Sequence, residues 1–312
     1  MAYQFYSVTQ EGVLEEHTAL DVFRYPMGDV TLRVDGNLHT QDIEVVVVTE
    51  TAPDWTIVYE WASLVGSSAR RVLVLPYLPS ARGDKDYPNP AAINARIAAA
   101  SGITDVVTLD PHSSKWLDTL SFANPAIVVH ELDLPSIVSD TVGEYTYLGV
   151  IGPDAGSTER ASAVAQRLGL PVHICSKKRD PATGRLSGYV APQEVIDNPG
   201  EYLVVDDICD GGGTFLLLTD AVSDEHALDL WVSHGGFTKR LHALMTRYRR
   251  VITTDSLPSA VFHTSEWSGA EWGRMIREGE NAHTAADELR DRVRVVPLLP
   301  HIANAVIALD NN

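Results

Sequence analysis

A strand–helix alternation that runs twice along the chain constrains its fold more than any other feature. EVVVVTE at 44–50 and RVLVLPY at 71–77 are short β-branched runs, and between them the apolar residues of DWTIVYEWASLVGSSA recur at helical spacing. That is a βαβ unit. NPAAINARIAAASG at 89–102 predicts an alanine-rich helix with Gly102 as its C-cap, and TDVVTLD at 104–110 and AIVVHE at 126–131 predict strands. The pattern restarts at YLGVIGP, 147–153, where GSTERASAVAQRLGL reads as a helix capped by Ser157 or Thr158 and VHIC as the next strand. After a Gly/Pro-rich excursion come YLVVDD, a helix after Gly213, LDLWVSH, TKRLHALMTRY and RVITTD. Strands that alternate with helices make mostly parallel sheets flanked by helices. The expected fold class is therefore α/β, with two similar domains at 1–145 and 146–298. The closing helix, 299–312, is free to pack back on the first.

Composition narrows the function. The 312 residues carry a formal net charge of −18, which argues against nucleic-acid and membrane-surface partners, since both require a basic face. Any phosphate site must be local. The two cysteines, Cys175 and Cys209, sit inside apolar runs, so a disulfide framework is not expected and a reducing cytoplasm fits. The longest apolar runs fall far short of a membrane span, and MAYQFYSVTQ lacks the basic and apolar regions of a signal sequence. The expected location is cytoplasmic.

LVVDDICDGGGT at 203–214 is where chemistry concentrates. A buried strand delivers Asp206 and Asp207 to its carboxyl end, the end at which open α/β sheets bind ligands. Gly211, Gly212 and Gly213 let the backbone turn N–H groups inward before Thr214, which suits a phosphate. Two consecutive carboxylates are costly at a strand end unless they face a ligand. An Asp-rich turn with an N-cap is the bland alternative.

VVDDICDGGGT resembles the phosphoribosyl-pyrophosphate loop of the type I phosphoribosyltransferase fold. Further segments make the whole chain similar to the ribose-phosphate pyrophosphokinases, or PRPP synthetases. LPYLPSARGDKD resembles that family's ATP loop, TLDPHSSK its Asp-Leu-His segment, GPDAGSTERA its Ser-Pro-Asp segment and CSKKRDP its lysine-arginine strand end. VSHGGF and TDSLP resemble two later segments, all in family order over roughly residues 24–300. The resemblance implies two phosphoribosyltransferase-type domains, ATP as co-substrate, Mg2+ as cofactor and a homo-oligomer. It assigns Lys177 and Arg179 to catalysis, and Tyr25, Asp29, Arg82, Asp84 and His112 to ATP. Asp206, Asp207, Asp210, Gly211, Gly212, Gly213 and Thr214 fall to the ribose phosphate, and His112 and Asp154 to the metal. For Asp154 the structural alternative is a helix N-cap. DPATGRLSG, after the lysine-arginine segment, would serve as a lid that excludes water. No GxxxxGK[ST] sequence is present, so a P-loop kinase is not implied.

Departures from the family pattern matter most at the acceptor. The ATP-side Phe-Ser-Asp-Gly-Glu becomes YPMGD, with Met27 replacing an acid and Asp29 a shorter one; Arg-Gln-Asp becomes Arg82-Gly83-Asp84. Asp-Thr-Gly-Gly-Thr becomes Asp210-Gly211-Gly212-Gly213-Thr214, which removes a hydroxyl and a methyl from the wall around the acceptor's 5-phosphate. The first reading is transfer of the β,γ-diphosphate of ATP to the anomeric hydroxyl of ribose 5-phosphate, leaving AMP. A second keeps the chemistry but takes a larger 5-phosphoribosyl acceptor such as ADP-ribose. A phosphoribosyltransferase and a non-catalytic, PRPP-synthetase-associated regulatory protein are the remaining alternatives.

Overall fold

The computed structural model describes residues 3–143, 145–179, 186–260 and 292–311. Two compact units share the chain: Met1–Leu132 with Leu298–Asn312, and Asp133–Pro297. Both are layered α/β structures built on a six-stranded sheet. No helix among the described residues is long and apolar enough to cross a membrane.

In the first unit, β1 (Tyr3–Val8) and β2 (Leu14–Glu16) form an antiparallel edge. A separate hairpin, β3 (Leu20–Arg24) and β4 (Val30–Val34), follows. These N-terminal strands are short and partly polar, and the alternation of longer runs did not announce them. β5 (Ile43–Val48) is buried along its whole length, as a strand covered on both faces must be. Helix α1 (Trp55–Val65) begins where the Asp54 side chain accepts a hydrogen bond from the Thr56 amide, and it buries Ile57, Val58, Trp61, Ala62 and Val65 on one face. Then come β6 (Arg70–Leu75), α2 (Pro90–Ala99), β7 (Asp105–Thr108), α3 (Lys115–Ala123) and β8 (Val128–Glu131). The sheet order is β2-β1-β5-β6-β7-β8, with β5 to β8 parallel. Ala100, rather than Gly102, caps α2; Gly102, at φ +85°, turns the chain onward into β7.

The second unit opens with α4 (Leu134–Val142), which packs on α5 (Thr158–Leu168) and so places residues 133–143 here rather than with the first sheet. Its strands are β9 (Gly149–Gly152), β10 (Val172–Ile174), β13 (Glu201–Cys209), β14 (Ala227–Gly235), β15 (Arg250–Thr254) and β16 (Val293–Val296). All are parallel, in the order β10-β9-β13-β14-β15-β16. The Gly/Pro-rich excursion contains an antiparallel ribbon, β11 (Ser176–Arg179) with β12 (Leu186–Val190), and a short helix α6 (Gln193–Ile196). Helices α7 (Gly213–Thr219) and α8 (Leu241–Arg247) complete the unit; α8 starts later than the expected TKRLHALMTRY because Arg240 takes a left-handed backbone, φ +60°. The final helix, α9 (Leu299–Ile307), belongs to the first unit, where Arg70 donates to the Leu309 carbonyl at 2.9 Å. Cys175 and Cys209 are buried free thiols.

Candidate active site

Topology picks out one place in the second unit. After β9 the chain crosses through α5 to β10 on one side, while β13 lies on the other, so the loops leaving β9 and β13 diverge. A crevice at the carboxyl ends of such strands is where doubly wound sheets hold ligands.

Three carboxylates gather there. Asp154 ends the β9 loop; its Oδ1 accepts from the Gly156 amide at 2.7 Å, and its Oδ2 lies 2.6 Å from Lys177 Nζ on β11. Asp154 does cap, but it caps the 3₁₀ turn Ala155–Ser157 that leads into α5, whose own N-cap position is Ser157, and it makes an ion pair besides. Arg160, in the first turn of α5, reaches β13 and places Nη1 3.4 Å from Asp206 Oδ1 and Nη2 3.4 Å from Asp207 Oδ2. Asp206 also accepts from the Asp207 amide at 3.0 Å, and Asp207 from the Ile208 amide at 2.8 Å. Burial and the charge of Asp207 push Asp206 up to about 7; Arg160 opposes that rise without cancelling it. A carboxylate so poised gains from a ligand whose hydroxyls replace lost water.

The glycine turn is strapped to the segment that follows β14. Asp210 Oδ1 accepts from the Thr238 hydroxyl at 2.6 Å, and its carbonyl accepts from the Thr238 amide at 2.9 Å. Arg240 Nη1 donates to the Gly211 carbonyl at 3.1 Å. Gly212 alone of the three glycines has a left-handed backbone, φ +72°, and a Cβ there would press on Leu244 at 3.1 Å. Gly211 carries no such constraint. Gly213 and Thr214 open α7. Lys177 pairs across the ribbon with the buried Tyr189, whose phenol is raised by burial and lies within the influence of Thr214, Lys177, Asp154 and Asp206. Arg179 pairs with Leu186 after a register shift; the segment 180–185, expected to act as a lid, lies outside the described residues.

The first unit presents the residues assigned to ATP on loops and a hairpin. Tyr25 and Asp29 face each other at the tip of β3–β4, where the Tyr25 amide donates to the Asp29 carbonyl at 2.8 Å. The exposed Tyr25 ring stands edge-to-face on Phe23, centroids 4.9 Å apart, and the Arg33 guanidinium lies 5.3 Å from its centre. Arg82 projects from a 3₁₀ turn, Ala81–Gly83, after β6, with Asp84 as its C-cap. The Pro90 ring fills the place a side chain at position 83 would take, so glycine there answers a local packing demand. His112 is exposed on the loop from β7 to α3.

Among the described residues, no group of three or more His, Cys, Asp or Glu side chains converges to hold a metal ion unaided. The hard oxygens of Asp154 suit magnesium, which keeps water and phosphate ligands and needs few carboxylates. His112 and Asp154 lie in different units. Arg160, Tyr189 and Arg240 were missed in the sequence. A cation in the first turn of a helix, against the dipole, was the one available signal for Arg160.

Parallel strands that end in carboxylates beside a glycine turn define a phosphoribosyltransferase-type α/β protein. No family model matches the chain. It is 28% identical over 260 residues to a ribose-phosphate pyrophosphokinase of Maricaulis maris (strain MCS10), covering 77% of this chain and 80% of the relative. With the Cereibacter sphaeroides enzyme of the same name it shares 25% over 301 residues, 92% of this chain and 81% of the other. Ribose-phosphate pyrophosphokinase 2 of Schizosaccharomyces pombe is 29% identical over 241 residues, 69% and 72% of the two chains. The fold matches the crystal structure of phosphoribosylpyrophosphate synthetase from Mycobacterium smegmatis with a TM-score of 0.67, at 20% identity, over 95% of this chain and 91% of that one. The chain is thus similar to ribose-phosphate pyrophosphokinases over most of its length and shares the fold of a phosphoribosylpyrophosphate synthetase.

Proposed function

We propose that the protein is an ATP-dependent diphosphotransferase that moves the β,γ-diphosphate of ATP to the anomeric hydroxyl of a 5-phosphorylated ribose, giving AMP and the sugar 1-diphosphate, which is PRPP when the acceptor is ribose 5-phosphate. The observation that carries this reading is the trio Asp206, Asp207 and Arg160 beside the glycine turn, with Lys177 paired to Asp154 at the neighbouring strand end.

The acceptor's C1 oxygen attacks the β-phosphorus; the new C1–O–P bond forms as the bond from that phosphorus to the α,β-bridging oxygen breaks. AMP departs with the bridging oxygen, and the hydroxyl proton is released. Asp206 and Asp207 accept hydrogen bonds from the sugar diol, and Arg160 holds the two carboxylates at one spacing. Gly211 to Thr214 and the Thr238-anchored Asp210 form the wall for the 5-phosphate. Lys177 neutralises charge that grows on the transferring group, an electrostatic contact that counts most in the transition state. Magnesium, when bound with ATP, would supply Lewis-acid neutralisation of phosphate charge; in the second unit Asp154 would be the residue to hold it, and in the first unit the family resemblance offers His112. Tyr25 and Asp29 serve the adenosine, Arg82 the ATP phosphates with Asp84 orienting it, and Arg179 joins Lys177.

A larger acceptor such as ADP-ribose is the second reading, favoured by Gly211: its backbone does not require glycine, and a Cβ built there meets nothing closer than Arg240 Nη1 at 3.7 Å.

The test is an acceptor panel with ATP and magnesium, followed by AMP release and mass identification of the product. A diphosphorylated sugar in stoichiometric yield with AMP is expected, as is complete loss of transfer in excess chelator. Product formation that consumes a base and PRPP, or no turnover with any acceptor, rejects the proposal.

A further inference from the structure

Five hydrogen bonds dock residues 236–240 on the turn that follows β13. The Gly236 and Phe237 amides both donate to the Cys209 carbonyl, at 2.9 and 3.0 Å; Thr238 binds Asp210 twice; and Arg240 binds Gly211. Phe237 and Arg240 hold left-handed backbones, φ +43° and +60°, which a non-glycine residue keeps only where surroundings enforce it. The result is an exposed guanidinium laid along the outer edge of the glycine turn. Its Nη1 is 3.7 Å from the Cβ position of Gly211 and 3.6 Å from that of Gly213. In a chain of net charge −18, a cation fixed at this edge is a local exception.

We propose that Arg240 is a specificity-determining residue that holds a second phosphate attached to the acceptor's 5-phosphate. The acceptor class is then a nucleoside-diphosphate ribose, which leaves the pocket over Gly211. The proposal rests on the diphosphotransfer reading above for the place of the 5-phosphate. A guanidinium offers five N–H donors in a planar fork that matches phosphate oxygens, and the Gly211 carbonyl takes one. A Cβ at position 211 would sit 3.7 Å from Nη1, in ordinary contact, so a longer side chain there would take up the space beside the fork. Glycine leaves that space free, and the carbonyl bond holds the guanidinium beside it.

Binding is measured by calorimetric titration of ribose 5-phosphate and ADP-ribose, without ATP, into the parent, Arg240→Gln, Arg240→Lys and Gly211→Thr proteins. The parent is expected to prefer ADP-ribose. Arg240→Gln should lower that preference ratio about tenfold, a typical loss for one charge-assisted phosphate contact. Arg240→Lys should retain part of it, and Gly211→Thr should lower the ratio while leaving Arg240 in place. If Arg240→Gln does not fold, Gly211→Thr decides. A parent that lacks the preference or binds neither acceptor overturns the inference, as does an equal change for both acceptors in the variants. Turnover is read separately: loss of transfer with every acceptor would reject the diphosphotransfer reading, whereas the binding ratio alone decides Arg240.

Discussion

At the start of its strands the second unit buries Asp229 completely. It accepts hydrogen bonds from Tyr147 at 2.7 Å, from Arg249 at 2.7 and 3.0 Å, and from Arg250. Burial works to raise its pKa, but these donors more than offset it and hold the carboxyl below the usual range. At the other end of the same sheet Asp206 is also desolvated, yet it faces a second carboxylate with one shared arginine at 3.4 Å, and rises to about 7. The first unit repeats the strand-start pattern: Asp105 is clamped by Arg70 at 2.8 and 2.9 Å and by His130 at 2.8 Å, and is likewise lowered despite burial. Satisfied carboxylates therefore mark structural positions in this protein. Asp206, whose carboxyl is raised instead, lies at the ligand position proposed above, in keeping with the tendency of perturbed acids to cluster where function needs them.

The signs of the pH dependence separate the two ends. Asp229, with a depressed folded pKa, contributes stability that is present above the ordinary carboxylate pKa and lost as pH falls through its folded value. Asp206 does the reverse: the unfolded chain releases this proton near 3.8, the folded chain near 7, so stability is lost as pH rises across that window.

The largest expected effect is at the strand start. Asp229→Ala should lower unfolding free energy by about 3 kcal/mol, the low end for breaking a buried ion pair because Arg249 keeps access to water. Urea unfolding at pH 7 measures it, and parental stability would remove the structural half of the comparison. Next is Lys177→Ala, expected to cut kcat about 100-fold. Its Asp154 pair is partly exposed, so thermal stability should stay within about 1 kcal/mol of the parent. Near-normal turnover would take Lys177 off the chemistry. The smallest effect is the most diagnostic: Asp206→Asn should raise stability at pH 8 by roughly 1 kcal/mol while weakening ribose 5-phosphate binding, as replacement of a functional residue often does. If Asp206→Asn destabilises the fold at pH 8 instead, the strand-end carboxylate is structural as well.

Legibility followed the range of the interaction. The buried strands around Val45, Val72 and Val204 and the helices beginning at Trp55 and Thr158 were readable because periodicity needs only neighbours in sequence. The ribbon β11–β12 was hidden because SKKR and LSGYV carry no apolar alternation, with Tyr189 anchoring it in the core. Asp206, Asp207 and the glycines were visible as a run. Arg160, 46 residues from Asp206, and Arg240, 29 from Gly211, were not, since no spacing rule links them.

The sequence by itself determined the α/β alternation, the acidic character of the chain and the DDICDGGGT run that marks one strand end, all properties of consecutive residues. Tertiary structure alone decided that Arg160 spans two carboxylates, that Lys177 meets Asp154, and that Arg240 bends into a left-handed backbone beside a glycine whose own φ demands nothing. The physical reason is that charge pairing and desolvation depend on distances across the sheet, and these are set only when the packed layers fix which strand ends lie together.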